Sequence, residues 1–135
     1  MRPTSVVGME ILSSRTLLIS RDPVALTAFY RDRLGLAIAR EYPGGTVFHA
    51  GTSLIEIPAH MATSSDVDAG DVLWLQVRDV AATAEELGAA GVPIVAGPET
   101  KPWGLIEMTA SDPDGRRLIV VEIPADHPLR RDVRE

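Results

Sequence analysis

Three side chains able to ligate a metal or move a proton crowd one stretch of the chain: His49, Glu56 and His60. A two-residue Gly51-Thr52 turn folds this stretch into a hairpin, sets His49 opposite Leu54 and puts it on the face that carries Glu56. His60 follows Pro58, which ends the strand, and so falls in a loop. The other close pair of acids, Asp112 and Asp114, belongs to Asp112-Pro113-Asp114-Gly115, where turn chemistry accounts for both. The chain has no cysteine, hence no thiolate nucleophile and no thiolate metal site. It also lacks a Gly-x-Ser-x-Gly elbow and a phosphate-cradling glycine loop. The remaining residues of interest are the two tryptophans, Trp74 in an apolar run and Trp103 between Pro102 and Gly104.

The elements that must position these residues come as a pair. Thr16-Leu17-Leu18-Ile19-Ser20-Arg21-Asp22 leads into a helical pattern that closes at Leu34-Gly35, and Leu73-Trp74-Leu75-Gln76-Val77-Arg78-Asp79 leads into another that closes at Ala90-Gly91. A long period present only twice is no solenoid; it reads as one supersecondary unit used as two halves of a single domain. In the first half Arg15–Ser20 reads as a strand, Asp22 as an N-cap, Pro23 as the first helical residue and Gly35 as the stop. Val24, Leu26, Phe29, Tyr30 and Leu34 recur at helical spacing and predict its buried face. Strands follow at 36–42, 46–50 and 53–57, broken by Pro43-Gly44-Gly45 and Gly51-Thr52. In the second half a strand at 71–77 and a helix capped by Asp79 precede strands at 94–96, 103–110 and 117–123, with a loop from Gly97-Pro98 to Lys101-Pro102. The expected organisation is an arm or edge strand at 1–14, a first module at 15–60, a linker at 61–70, a second module at 71–124 and a charged tail at 125–135.

At 135 residues and 45% apolar content the chain has room for one domain with a real core. A net charge of −6 argues against a nucleic-acid partner, which calls for a basic stripe. No apolar run approaches the length of about 18 residues that a membrane helix needs, and no signal-peptide pattern opens the chain. The expectation is a cytoplasmic protein without a membrane or nucleic-acid partner.

The run strand–Arg-Asp–helix–Phe29-Tyr30-x-x-x-Leu34-Gly35-Leu36, with Asp112-Pro113-Asp114-Gly115 late in the second half, resembles the vicinal oxygen chelate superfamily. That superfamily contains glyoxalase I, extradiol dioxygenases, fosfomycin-resistance enzymes and the bleomycin-resistance proteins. The resemblance spans about Arg15 to Ile123. It implies an α+β fold in which two βαβββ modules form a cupped mixed sheet, and a homodimer with cavities between its chains.

Enzymes of that superfamily bind a divalent metal at four strand positions, and by resemblance these fall on Arg15, Glu56, Val72 and Ile119. Only Glu56 is a ligand. A guanidinium has no lone pair to give, and valine and isoleucine have no donor atom. Glu122 is the nearest acid to Ile119, but strand alternation turns it to the other face. Arg15 and Glu56 then have two readings: an ion pair that bridges strands, or a polar anchor for a ligand.

Taking those four positions as inward-facing, alternation adds Leu17, Ile19, Leu54, Trp74, Gln76, Arg117 and Val121 to the cup, while Leu18, Ile55, Leu75 and Leu118 face the helices. Phe48 and Tyr30 read as core. The indole of Trp74 offers a flat surface for an aromatic ligand, and Trp103 a lid or a dimer rim. The expected ligand-binding set is Trp74, Arg15, Glu56, Leu17, Gln76, His49, Leu54, Ile119 and Trp103, with no metal, no cofactor and no catalytic residue.

The leading expectation is a metal-independent protein similar to the bleomycin-resistance branch, sequestering a bulky aromatic antibiotic or toxin in a dimer cavity. The alternatives are a glyoxalase-like lyase, isomerase or dioxygenase with an atypical metal shell around His49 and Glu56, and a metal-free protein using Glu56 as a general base.

Overall fold

The repeat is realised as the same unit built twice. In the computed structural model, which describes residues 8–64 and 71–129, the first unit comprises β1 (Thr16–Leu17), α1 (Pro23–Ala28), β2 (Ile38–Tyr42), β3 (Gly45–Ala50) and β4 (Ser53–Pro58). The second comprises β5 (Val72–Val77), α2 (Val80–Ala89), β6 (Ile94–Thr100), β7 (Ile106–Ser111) and β8 (Arg117–Glu122). Each makes a four-stranded sheet of the same order, β1-β4-β3-β2 and β5-β8-β7-β6. The opening strand of each pairs in parallel with the closing strand, and the remaining pairs are antiparallel. The ends of the expected arm, linker and tail (1–7, 65–70 and 130–135) lie outside the described residues.

The helix starts follow their caps. Asp22 accepts from the Ala25 N–H at 3.1 Å and Asp79 from the Ala82 N–H at 3.0 Å, each satisfying a first-turn donor that a helix leaves open. After α1 the chain makes a π-helical turn over Phe29–Arg33, and the left-handed Gly35 (φ 72) then releases it into the sheet. Val24 is the one misplaced residue of the predicted apolar stripe: it is 80% exposed. It lies two positions from the buried Leu26, and two positions on a helix are on opposite sides.

The sheets keep the expected alternation with three departures. β1 is only two residues long, against the six expected. β6 runs on through Gly97 and Pro98 to Thr100 where a loop was expected; register shifts let this edge strand absorb a residue that has no N–H. Trp103 precedes β7 instead of opening it. Residues 8–15 form no strand, and Met9, Ile11 and Leu12 are exposed there.

The helix-facing sides of both sheets share one core, with Leu18, Phe48 and Ile55 from the first module against Val80, Leu118 and Val120 from the second. Phe48 and Ile55 stand in register on β3 and β4 and are almost fully buried, as predicted. Burial of each such side chain contributes roughly 1.5–3 kcal/mol. The Arg33 guanidinium also donates to the carbonyls of Ala90 (3.3 Å) and Gly91 (3.2 Å) at the C-terminal end of α2, where a helix leaves acceptors unpaired. Because both helical sides are turned inward, the opposite faces of the sheets, carrying Glu56 and Trp74, look outward. Among the described residues no helix is long and apolar enough to cross a membrane.

Candidate functional site

On the open face of the first module, parallel pairing of β1 with β4 sets Leu17 beside Glu56. Arg15, two residues earlier, therefore shares that face, and its Nη1 donates to Glu56 Oε1 at 2.9 Å. The other carboxylate oxygen, Oε2, accepts a short hydrogen bond from the Tyr42 hydroxyl. Tyr42 reaches it from β2, across β3: Arg40 pairs with Val47, which pairs with Glu56, and Tyr42 lies two residues beyond Arg40. The Arg40 guanidinium lies 5.0 Å from the centre of the Tyr42 ring.

Gly44 makes room for this arrangement. A Cβ there would stand 2.6 Å from the Tyr42 ring and 2.8 Å from His60 Nδ1. His60 Nδ1 lies 2.8 Å from the Gly44 carbonyl; a carbonyl only accepts, so Nδ1 carries the proton. The Tyr42 hydrogen bond holds the Glu56 carboxyl below the usual glutamate range, assisted by Arg15 and opposed by burial. The same bond holds the Tyr42 phenol above its ordinary value.

This donor set does not fit a divalent metal. Glu56 is its one carboxylate, and it accepts from Tyr42 and from Arg15, whose fixed positive charge disfavours a cation beside it. Val72 and Ile119 contribute no donor, and His49, in register with Leu54, is exposed. Glu122 faces the helix side as alternation requires, and its Oε1 accepts the Val80 N–H at 2.9 Å, capping α2. Among the described residues no three histidine, aspartate or glutamate side chains converge.

On the open face of the second module Trp74 pairs with Ile119, and Gln76 with Val121. Trp74 is 52% exposed. Through edge strand β5 Trp74 and Gln76 also border a cleft of about 920 Å³ on the helix-facing side of the sheet, lined by Leu75, Leu87 and Leu118 and by the Gly51-Thr52 hairpin tip. Val121 is covered by Leu105, from the loop that holds Trp103. Trp103 is 57% exposed, and its Nε1 donates to Glu107 Oε2 at 2.7 Å. His127 Nδ1 accepts from the Leu129 N–H at 3.1 Å, so its Nε2 carries the proton and donates to the Trp103 carbonyl at 2.9 Å.

The expected site residues thus fall into separate groups. Arg15 and Glu56 are in contact, and Leu17, Leu54 and His49 share their face. Trp74, Gln76 and Ile119 occupy the other module, and only Trp74 and Gln76 of the whole set line the cleft. Tyr42 and Arg40 were not among the expected residues. Their signal was the same alternation carried one strand further, from Glu56 across β3 to β2. Asp112 is more than a turn residue: 4% exposed, it accepts from Tyr30 and from the fully buried Arg116.

A family model described as Glyoxalase/Bleomycin resistance protein/Dioxygenase superfamily matches residues 13–120. No curated protein sequence matches the chain. Among solved structures, a protein of unknown function from Agrobacterium tumefaciens is 25% identical over 90% of this chain and 100% of its own, with a TM-score of 0.69. A glyoxalase/bleomycin resistance protein/dioxygenase from Nocardioides is 17% identical over 92% of this chain and 91% of its own, with a TM-score of 0.72. A bleomycin resistance determinant encoded on the transposon Tn5 is 24% identical over 82% of this chain and 97% of its own, with a TM-score of 0.66. At these identities the latter two likenesses are of fold.

Proposed function

The chain belongs to the Glyoxalase/Bleomycin resistance protein/Dioxygenase superfamily, and from that membership we propose that it is a metal-independent binding protein that sequesters an aromatic small molecule, an antibiotic or toxin, in the cytoplasm. The observation that carries this reading is the state of Glu56. Its two oxygens are held by Arg15 and Tyr42, so the face where a relative could hold a metal carries an ion pair and a phenol instead.

The binding surface is shared between two copies of the chain. Within one copy the Arg15–Glu56 face and the Trp74 face look away from the common core. Leu17 (40% exposed), Val72 (38%) and Trp74 (52%) leave apolar surface on both. A homodimer that sets the Trp74 face of one copy over the Arg15–Glu56 face of the other encloses a cavity with an indole on one wall and polar groups on the other. That combination suits an aromatic ligand with a few polar substituents.

Native mass spectrometry of the purified protein, alone and with a panel of aromatic antibiotics, tests this. The expected result is a metal-free dimer that gains intact drug masses. A stoichiometric metal adduct, or a drug recovered with altered mass, overturns it in favour of an enzyme.

A further inference from the structure

We propose that Arg15 and Arg40 form a carboxylate-binding subsite on the open face of the first module, and that the ligand is an aryl carboxylic acid bound as its anion. This rests on the ligand-binding reading above and names the chemical class of what is bound.

The two guanidiniums flank one phenol. Arg40 lies over the Tyr42 ring, and the Tyr42 hydroxyl meets the carboxylate that Arg15 also holds. Glu56 compensates the charge of Arg15 and fixes its direction. Arg40 forms no ion pair with a carboxylate among the described residues, and its contact with Tyr42 uses the face of the ring and no N–H. This face therefore carries one uncompensated positive charge in a chain whose net charge is −6.

Arg15 is 37% exposed, so N–H groups not engaged by Glu56 are open to solvent. A guanidinium presents five donors in a planar fork, which matches a planar carboxylate better than it matches any neutral group. A cationic ligand would meet two guanidiniums at this point and be repelled. The apolar surface for the ring lies alongside: Leu17 is in register with Glu56 and 40% exposed, and Leu54 is two residues from Glu56 on the same face.

The test is calorimetric titration of the full chain with naphthoate, naphthamide and naphthylmethylammonium, which share a ring system and differ in charge. Naphthoate is expected to bind about tenfold or more tightly than naphthamide, the worth of one or two charge-assisted hydrogen bonds. Arg40→Gln, an exposed substitution outside the core, is expected to remove that preference. Equal binding of naphthoate and naphthamide, tightest binding of the ammonium compound, or a preference that survives Arg40→Gln each overturns the subsite while leaving the ligand-binding reading in place. Failure of all three compounds to bind also overturns the subsite, while retention of an aromatic antibiotic in native mass spectrometry decides the ligand-binding reading separately.

Discussion

Tyr30 donates a 2.9 Å hydrogen bond to Asp112 Oδ2 across 82 positions of the chain, joining the helical segment of the first module to the last turn of the second. The same oxygen accepts from Arg116 Nη1 at 2.6 Å, and Arg116 Nη2 reaches back to the Ile19 carbonyl at 3.3 Å. Burial, and then the charge of Asp112, pushes the Tyr30 phenol far above its ordinary value. The two modules are therefore tied by hydrogen bonds that a buried charge pair of the second makes to Tyr30 and Ile19 of the first, beside the apolar core they share.

Removing one partner of this pair is expected to cost far more than trimming its edge. Asp112→Ala takes the 2.6 Å partner from the buried Arg116, leaves it only Asp114 Oδ2 at 4.0 Å, and should cost about 3 kcal/mol. Tyr30→Phe keeps the ring packing and the ion pair and should cost about 0.5–1.5 kcal/mol. Urea denaturation of the two variants measures the ratio; equal losses would mean that the buried ion pair adds nothing beyond the Tyr30 hydrogen bond.

Glu56 should make stability depend on acid pH. Its folded carboxyl titrates below the unfolded value of about 4.3, chiefly through the Tyr42 hydrogen bond and also through Arg15. A group depressed in the folded state stabilises fully above its unfolded value, and that contribution is lost as pH falls through the folded value. The stability difference between the wild type and Glu56→Gln should thus hold steady at neutral pH and shrink on acidification below about pH 4. A difference that stays constant down to unfolding would show Glu56 unpaired in solution.

Tyr42 should ionise later than a free tyrosine, because its hydroxyl donates to a carboxylate. With only two tyrosines in the chain and Tyr30 held far higher, the first phenolate signal in an ultraviolet titration belongs to Tyr42. Glu56→Gln should move it back towards about 10. Gly44→Ala should do the same with Glu56 intact, since the added methyl would stand 2.6 Å from the Tyr42 ring and must displace it. An unshifted titration in both variants would show that the Tyr42–Glu56 contact does not persist in solution.

Trp74→Ala should leave folding largely intact and weaken binding of an aromatic drug about tenfold or more, because the half-exposed indole supplies stacking area without being part of the core. Calorimetry with a drug retained in native mass spectrometry gives the number. Unchanged affinity would remove Trp74 from the binding surface.

Most of the architecture is local in origin, which is why it could be read from the residues. Asp22 and Asp79 start the helices they were expected to start, and the Gly51-Thr52 turn sets His49 opposite Leu54. Alternation placed Phe48 and Ile55 in the core and turned Glu122 away from Ile119. Val24 escaped because a helix of six residues buries one narrow face, and β6 because bulges absorbed its proline.

The sequence by itself determined the two modules, their element order and the face on which each strand residue lies, since caps, turns and period-two alternation act between near neighbours. It also determined that Arg15, Val72 and Ile119 cannot ligate a metal, because that is a property of the side chains alone. Only the tertiary structure decided that Tyr42 occupies the second oxygen of Glu56, that Arg40 stands beside it, and that Tyr30, Asp112 and Arg116 close the joint between modules. Those contacts depend on which strands become neighbours and on how two sheets pack, and alternation along a single strand carries no information about either.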